Sequence, residues 1–234
     1  INSALVKNAF SYGKLYIDGT GTGNVFFSGV GTTNHNVKTL FQVAENSIAQ
    51  FSETSTYYLS LNSGASAVIN GTVRVGKAVG FVSSNVVAAA STFAALQFLG
   101  AESLTLGANS TIEYSRASSA TTQTVNPRTD YKNLTLSGLD NNKSFTGATT
   151  VSGTLTLNIT GTSTSTLAAN VTVNGAITFT AGKITTSTNT LTLGTSATIS
   201  GAGTGWVVGN LKKLTASGNS PSFTYAIGSA TSYT

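Results

Sequence analysis

From Asn133 onward, apolar residues alternate with threonine. "NLTL" (Asn133–Leu136), "TLTL" (Thr154–Leu157) and "AITF" (Ala176–Phe179) each put two apolar side chains on one side of an extended chain and a hydroxyl on the other. That is the period of a strand with one buried face. Each tetrad opens a longer phrase that closes on "TVSG", "TVNG" or "TISG", giving units 133–153, 154–175 and 176–201 of 21, 22 and 26 residues. Fainter copies occur upstream. "SLTLGANSTIEY" from Ser103 matches "TLTLGTSATISG" from Thr190, and "YLSLNSGASAVING" from Tyr58 has the same shape and leads into "TVRVG".

A strand pair this short is not stable alone. Repetition at a fixed period solves the problem by stacking, with each strand pairing with its copy about 4.8 Å above. The pattern therefore predicts an all-β fold, a parallel β-helix of about 22 residues per coil. Leu134, Leu136, Leu155, Leu157, Val171, Val173, Ile177, Phe179, Leu191 and Leu193 are expected inside. The glycine closing each unit suits a turn that a Cβ would strain. The rival is a pair of antiparallel β-sandwich modules, which also produce short strands with turns every 8–12 residues or so. Residues 1–201 are expected to form the β-helix, irregular in the N-terminal part, where "VVAAASTFAALQF" reads as an inserted helix or a broad coil. After Gly201 the TLTL rung is lost. Residues 202–234 are expected to be a C-terminal cap or the start of a next module, with Trp206–Ile227 outside the regular stack and Lys212 and Lys213 toward solvent.

Composition agrees. Charged residues are 8% of the 234, against roughly 25% in an ordinary domain. The polar balance falls to Thr, Ser, Gly and Asn, which suit strands and tight turns. The net charge of +5 comes from 12 basic and 7 acidic residues scattered along the chain, with one basic doublet, Lys212-Lys213. A nucleic-acid surface clusters its basic groups, so no nucleic-acid partner is expected. The chain has no Cys and no Met, and a chain without Cys is compatible with any redox compartment. The start at Ile1 and the stop after "IGSATSYT" read as cuts in something longer. The longest apolar run, "NVVAAASTFAALQFLG" (Asn85–Gly100), is short of the ~20 residues a membrane helix needs, so no membrane insertion is expected.

One stretch is more distinctive. "TIEYSRASSATTQTVNPRTDYKNLTLSG" (Thr111–Gly138) and "TNTLTLGTSATISGAGTGWVVGNLKK" (Thr188–Lys213) resemble phrases of large, repeat-rich secreted surface proteins of Bacteroidetes and related bacteria. The resemblance covers about residues 103–234. It implies an extracellular, adhesin-like protein at the bacterial cell surface, of the kind often exported by the type IX system. The separate C-terminal sorting domain which that system reads is not in this sequence.

Candidate chemistry is sparse. "DGTGTGN" (Asp18–Asn24) has the look of a phosphate-cradling loop but lacks the Gly-Lys-Ser/Thr and the following helix such a loop requires. It reads as a turn between strands. His35 is the only His and there is no Cys, so no metal site of three or four ligands is expected, nor any cofactor. The acids are Asp18, Glu45, Glu53, Glu102, Glu113, Asp130 and Asp140. A lyase or glycosidase needs paired carboxylates, or a base beside a neutralising cation. The densest charged neighbourhood is Glu113, Arg116, Arg128, Asp130 and Lys132, which reads as ion pairs on a solvated rim. No catalytic residue is assigned. The candidate surface-binding residues are aromatic, Tyr114, Tyr131 and Trp206, with Tyr57 and Tyr58 further candidates for stacking on sugar rings, or hydroxyl-bearing, Thr154, Thr156, Thr178 and Thr180. The threonines could stack into an outward array of the kind that orders water on ice. The sequence thus predicts a non-enzymatic structural or adhesin segment, with carbohydrate binding or processing as the alternative and ice binding as a second one. The partners it allows are surface glycans, neighbouring modules of the same polypeptide and end-to-end self-association.

Overall fold

The structure, a computed structural model, describes residues 5–6, 11–19, 24–27, 35–53, 58–83, 94–100, 103–118, 120–218 and 222–234. Two compact units divide the chain, Ile1–Arg116 and Ala117–Thr234. Among the described residues all regular structure is strand, and every strand pairing is parallel. That excludes antiparallel sandwich modules and establishes the β-solenoid.

The C-terminal unit is the more regular. Its strands are β13 (Gln123–Val125), β14 (Asn133–Leu139), β15 (Lys143–Phe145), β16 (Thr149–Val151), β17 (Thr154–Thr160), β18 (Ser165–Leu167), β19 (Val171–Val173), β20 (Ala176–Thr185), β21 (Leu191–Leu193), β22 (Thr198–Ser200), β23 (Gly205–Val208) and β24 (Leu211–Lys213). They build three faces. On the first, β14, β17, the start of β20 and β22 stack, so that Leu134 lies on Leu155, Leu155 on Ile177 and Ile177 on Ile199. On the second, β13, β15, β18, the end of β20 and β23 stack. On the third, β16, β19, β21 and β24 stack. All ten residues expected inside are buried, Phe179 being the most exposed of them at 2%.

The corners explain the turn residues. An amide at the start of one coil needs an acceptor, and asparagine side chains of the preceding coil supply it. Asn133 Oδ1 accepts from Thr154 N at 3.0 Å, Asn142 Oδ1 from Thr164 N at 3.0 Å and Asn170 Oδ1 from Thr190 N at 2.9 Å. Partners are 20 to 22 residues apart, one coil. Two of the three closing glycines have a different reason from the one the sequence suggests. Gly153 and Gly175 are not among the residues with positive φ. A Cβ on Gly175 would strike the carbonyl oxygen of Gly153, and one on Gly153 would lie 2.8 Å from that of Lys132. At these two positions the limit is close approach of successive coils, whereas Gly201, which closes the third unit, has a φ of +72° and takes the left-handed turn that a Cβ would strain.

One interior column departs from the apolar rule. Gln123, Lys143 and Ser165 are stacked by register on the second face and are fully buried, before Ile184 and Val207 continue the column. Lys143 Nζ donates to Asn141 Oδ1 at 3.1 Å, and Asn141 Nδ2 donates to the carbonyls of Ser118 and Thr121. Burying Lys143 and Asn141 is tolerated because they are hydrogen-bonded, whereas the buried Ser165 hydroxyl has no partner among the described residues.

The N-terminal unit contains β1 (Leu5–Val6), β2 (Ser11–Ile17), β3 (Asn24–Phe27), β4 (His35–Val43), β5 (Ile48–Phe51), β6 (Leu59–Leu61), β7 (Ser66–Ile69), β8 (Thr72–Val75), β9 (Val82–Ser83), β10 (Leu96–Phe98), β11 (Leu104–Leu106) and β12 (Thr111–Tyr114). It too is a parallel stack, but its steps are uneven. Ile48 lies on Thr72, yet Thr72 lies on Thr111. The longer step holds an extra pairing, Val82 on Leu96. The stretch expected to be an inserted helix or broad coil thus ends in strand β10, and residues 84–93 fall outside the described residues.

The stack does not end at Gly201. Trp206 and Val207 pair with Lys183 and Ile184, and Leu211 and Lys213 with Leu191 and Leu193. The regular coil therefore continues to Lys213, because "GWVV" and "LKK" keep the strand alternation without the TLTL spelling. Only the remainder departs. Ile227 bridges Val207, and Gly228 folds antiparallel onto Tyr233 across the last coil. Lys212 is exposed, whereas Lys213 Nζ turns back to the Thr195 carbonyl at 2.7 Å.

Gly175→Ala is expected to lower stability by about 1–3 kcal/mol, because backbone, not a flexible side chain, must yield. Gly13→Ala, where a Cβ meets open space, is expected to leave the urea midpoint nearly unchanged. An unaffected midpoint for Gly175→Ala would contradict close coil approach as the reason for the glycine.

Candidate functional site

The hydroxyl rows come first. Register aligns Thr135, Thr156, Thr178 and Ser200 as one outward row on the first face, with Ser200 Oγ donating to Thr178 Oγ1 at 3.2 Å. The adjacent row runs Asn133, Thr154, Ala176 and Thr198. Thr154 and Thr156 thus form a Thr-x-Thr pair, but Ala176 stands where the next coil would need a threonine. Thr180 falls at a bulge, since Leu157 pairs with Phe179 and Asn158 with Ala181. Thr180 is exposed but has no counterpart in register. The array is one hydroxyl wide along most of its length.

The aromatic candidates separate. Tyr114 and Tyr131 are fully buried, so neither offers a ring to a ligand. Tyr114 is the second inward residue of "TIEY", two after Ile112, and strand alternation carries it into the core. Tyr131 bridges Val151 and donates its hydroxyl to the Asn126 carbonyl at 3.0 Å. Tyr57 lies outside the described residues, and Tyr58 is half-buried. Trp206 stands on the outer side of β23, half-buried.

Trp206 lines a groove of about 300 Å³ with Thr160, Ser163, Gly182, Lys183 and Thr204 among the other lining residues. The groove follows a corner of the solenoid over three successive coils. β20 turns that corner at Gly182, whose φ is +98° and where a Cβ would lie 2.8 Å from the Ile159 carbonyl. Small residues on the rungs, Gly161 and Ala181, leave the corner concave. Trp206 is fixed in place. Its Nε1 donates to the Ser229 carbonyl at 2.7 Å, and its ring lies 6.1 Å from that of Tyr233. Lys183, directly opposite Trp206 in register, holds Nζ 5.1 Å from the indole centroid and 2.5 Å from the Ala230 carbonyl. The C-terminal segment thus props both walls. Sequence reading missed Lys183, although aligning "AGKIT" with "TGWVV" at their glycines puts it beside the tryptophan.

The charged neighbourhood dissolves into local pairs. Arg128 grips both oxygens of Asp130, each at 2.8 Å. Glu113 pairs with Arg74 at 2.7 Å, and Arg74 also reaches Gln50 Oε1 at 3.3 Å. These three residues are stacked on consecutive coils by register. Arg116 donates to the Gly76 carbonyl at 3.3 Å. Asp140 Oδ1 accepts from Thr162 N at 3.1 Å, and Glu45 Oε1 from Asn109 Nδ2 at 3.2 Å. Among the described residues no group of three His, Cys, Asp or Glu side chains is placed to hold a metal.

His35 opens β4 fully buried, with its ring 5.9 Å from Phe27 in an edge contact, and burial lowers its pKa. The "DGTGTGN" stretch lies between β2 and β3, both strands, although Thr20–Gly23 fall outside the described residues. Lys77, which sequence reading did not single out, is 4% exposed, and burial, reinforced by Arg116, pushes its pKa down to about 8. The native state therefore releases this proton before the unfolded chain does, so the unfolded state binds more protons between about pH 8 and the ordinary lysine range. Stability from this group is lowest below pH 8 and rises as pH climbs through that window. Urea midpoints measured from pH 7.5 to 10 are expected to show that rise in the wild type and to lose it in Lys77→Met. A wild-type midpoint without it would contradict the burial of a charged lysine.

Comparison with known protein families, curated proteins and solved structures finds no match to this chain.

Proposed function

We propose that the chain is a non-enzymatic segment of a secreted bacterial surface protein, a β-solenoid stalk that presents binding surfaces away from the cell. The observation that carries this reading is the fate of the carboxylates. Glu113 and Asp130 are tied to arginines, and Asp140 holds a turn amide. A carboxylate whose oxygens are already engaged by a guanidinium or a turn amide is a poor general acid or base, because those oxygens are taken up by the fold instead of being offered to a reacting proton. A solenoid suits a stalk because each coil adds about 4.8 Å of length for roughly the same local contacts. The extracellular setting rests on the resemblance of "TIEY", "QTV" and "YKNLTLSG" to surface-protein phrases. Neighbouring modules and surface glycans are the partners this role implies.

Carbohydrate processing is the competing activity. The chain is expected to release no unsaturated or reducing ends from uronate polymers over prolonged incubation. Turnover that copurifies with the protein and disappears in Glu113→Gln would overturn the structural reading.

A further inference from the structure

We propose that the corner groove beside Trp206 is a subsite for an acidic sugar unit, with the sugar ring against the indole and its carboxylate on Lys183. Three observations converge on this chemistry. The first is the wall. Trp206 is pinned by its Nε1 bond to Ser229 and by the strand register, so its ring position is set before any ligand arrives. A rigid aromatic side chain loses little freedom on binding and offers a broad apolar face to the C–H groups of a pyranose. The second is the charge. Lys183 Nζ has the Ala230 carbonyl and the indole face as its partners, and both are neutral. Among the described residues no carboxylate forms a salt bridge with this ammonium, and an anionic group supplies what is missing. The third is the lining. Hydroxyl-bearing Thr160 and Ser163 line a groove of about 300 Å³, at the small end of ligand sites, while the Thr204 hydroxyl beside them is held by the Phe179 and Gly201 carbonyls. That size fits one ring with its neighbours projecting into solvent, not a deeply buried ligand.

Hydroxyl lining and an aromatic wall favour a saccharide over an acidic peptide, which would look for a free strand edge or apolar side-chain pockets. The inference supplies a ligand class for the surface-segment reading. It is tested by binding alone, so a failure here leaves the absence of turnover, the test of that reading, where it stands.

Trp206 is the only tryptophan in the chain, so intrinsic fluorescence reports on this groove. The full chain is titrated with oligogalacturonate, with its methyl ester and with an acidic peptide of matched charge. The expected result is a saturable change in emission with oligogalacturonate, at a Kd on the order of 1 mM or below, weakening as salt is raised. The methyl ester is expected to bind at least tenfold more weakly. Lys183→Gln, an exposed-rim change that keeps a donor for the Ala230 carbonyl, is expected to weaken oligogalacturonate at least tenfold. Lys183→Arg is expected to restore most of the affinity. Calorimetry on Trp206→Phe, with circular dichroism confirming the fold, is expected to show loss of binding. No saturable response up to about 10 mM, equal response to acid and ester, an unchanged Lys183→Gln, or a response to the peptide alone would each overturn the proposal.

Discussion

Parallel backbone hydrogen bonding between successive coils is the constraint on which everything else depends. It holds each residue about 4.8 Å from its counterpart in the next coil, so side chains are chosen in columns and not singly. Leu134, Leu155 and Ile177 form one such column, and Val151, Val173 and Leu193 another. At corners the same spacing leaves no room for a Cβ between Gly175 and Gly153. It also strands amides at the start of coils, which Asn133, Asn142 and Asn170 satisfy from one coil below. The monotony of the composition follows from this stacking rule.

The scarcity of charge follows too. A charged residue on an outward strand position faces its counterpart on the next coil at the same short spacing, and like charges placed directly opposite destabilise a sheet. Threonine meets the β-branched preference of an exposed strand without that penalty. Where the N-terminal unit does carry charge on such a row, it alternates kind: Gln50, Arg74 and Glu113 follow each other, and the arginine bonds both neighbours. The high pI reflects a scarcity of acids, 7 against 12 basic residues.

Legibility follows the same rule. The three coils with conserved spelling were readable down to individual inward residues, because a period near 22 and an alternation of two together identify both the coil and the face. Coils with uneven steps were not. The step from Thr72 to Thr111 hides the repeat in the N-terminal unit, and the change of spelling at "GWVV" hides a rung that the backbone still makes. Tyr114 and Tyr131 were misplaced by residue type. Their rings suggested surface stacking, while their positions, inward in "TIEY" and opposite Val151, required the core. The polar column of Gln123, Lys143 and Ser165 had no sequence signal, since a lysine in a strand ordinarily marks the solvent side.

The faces and the corners of a solenoid are unequal as places for recognition. A three-residue strand such as β18 or β19 turns a single side chain outward, so a flat face offers one row of small hydroxyls and little relief. Relief appears where the regular pairing is interrupted. The bulge after Leu157 and the left-handed turn at Gly182 carry β20 from one face to the next, and they leave a concavity that the stacked rungs on either side cannot form. Trp206 and Lys183 meet there because register makes them neighbours, not because they are close in sequence. The segment around Ser229 and Ala230 then fixes both side chains from the far side. An interruption in a repeat is therefore the place to look for specificity, since the repeat itself is occupied with holding the stack together.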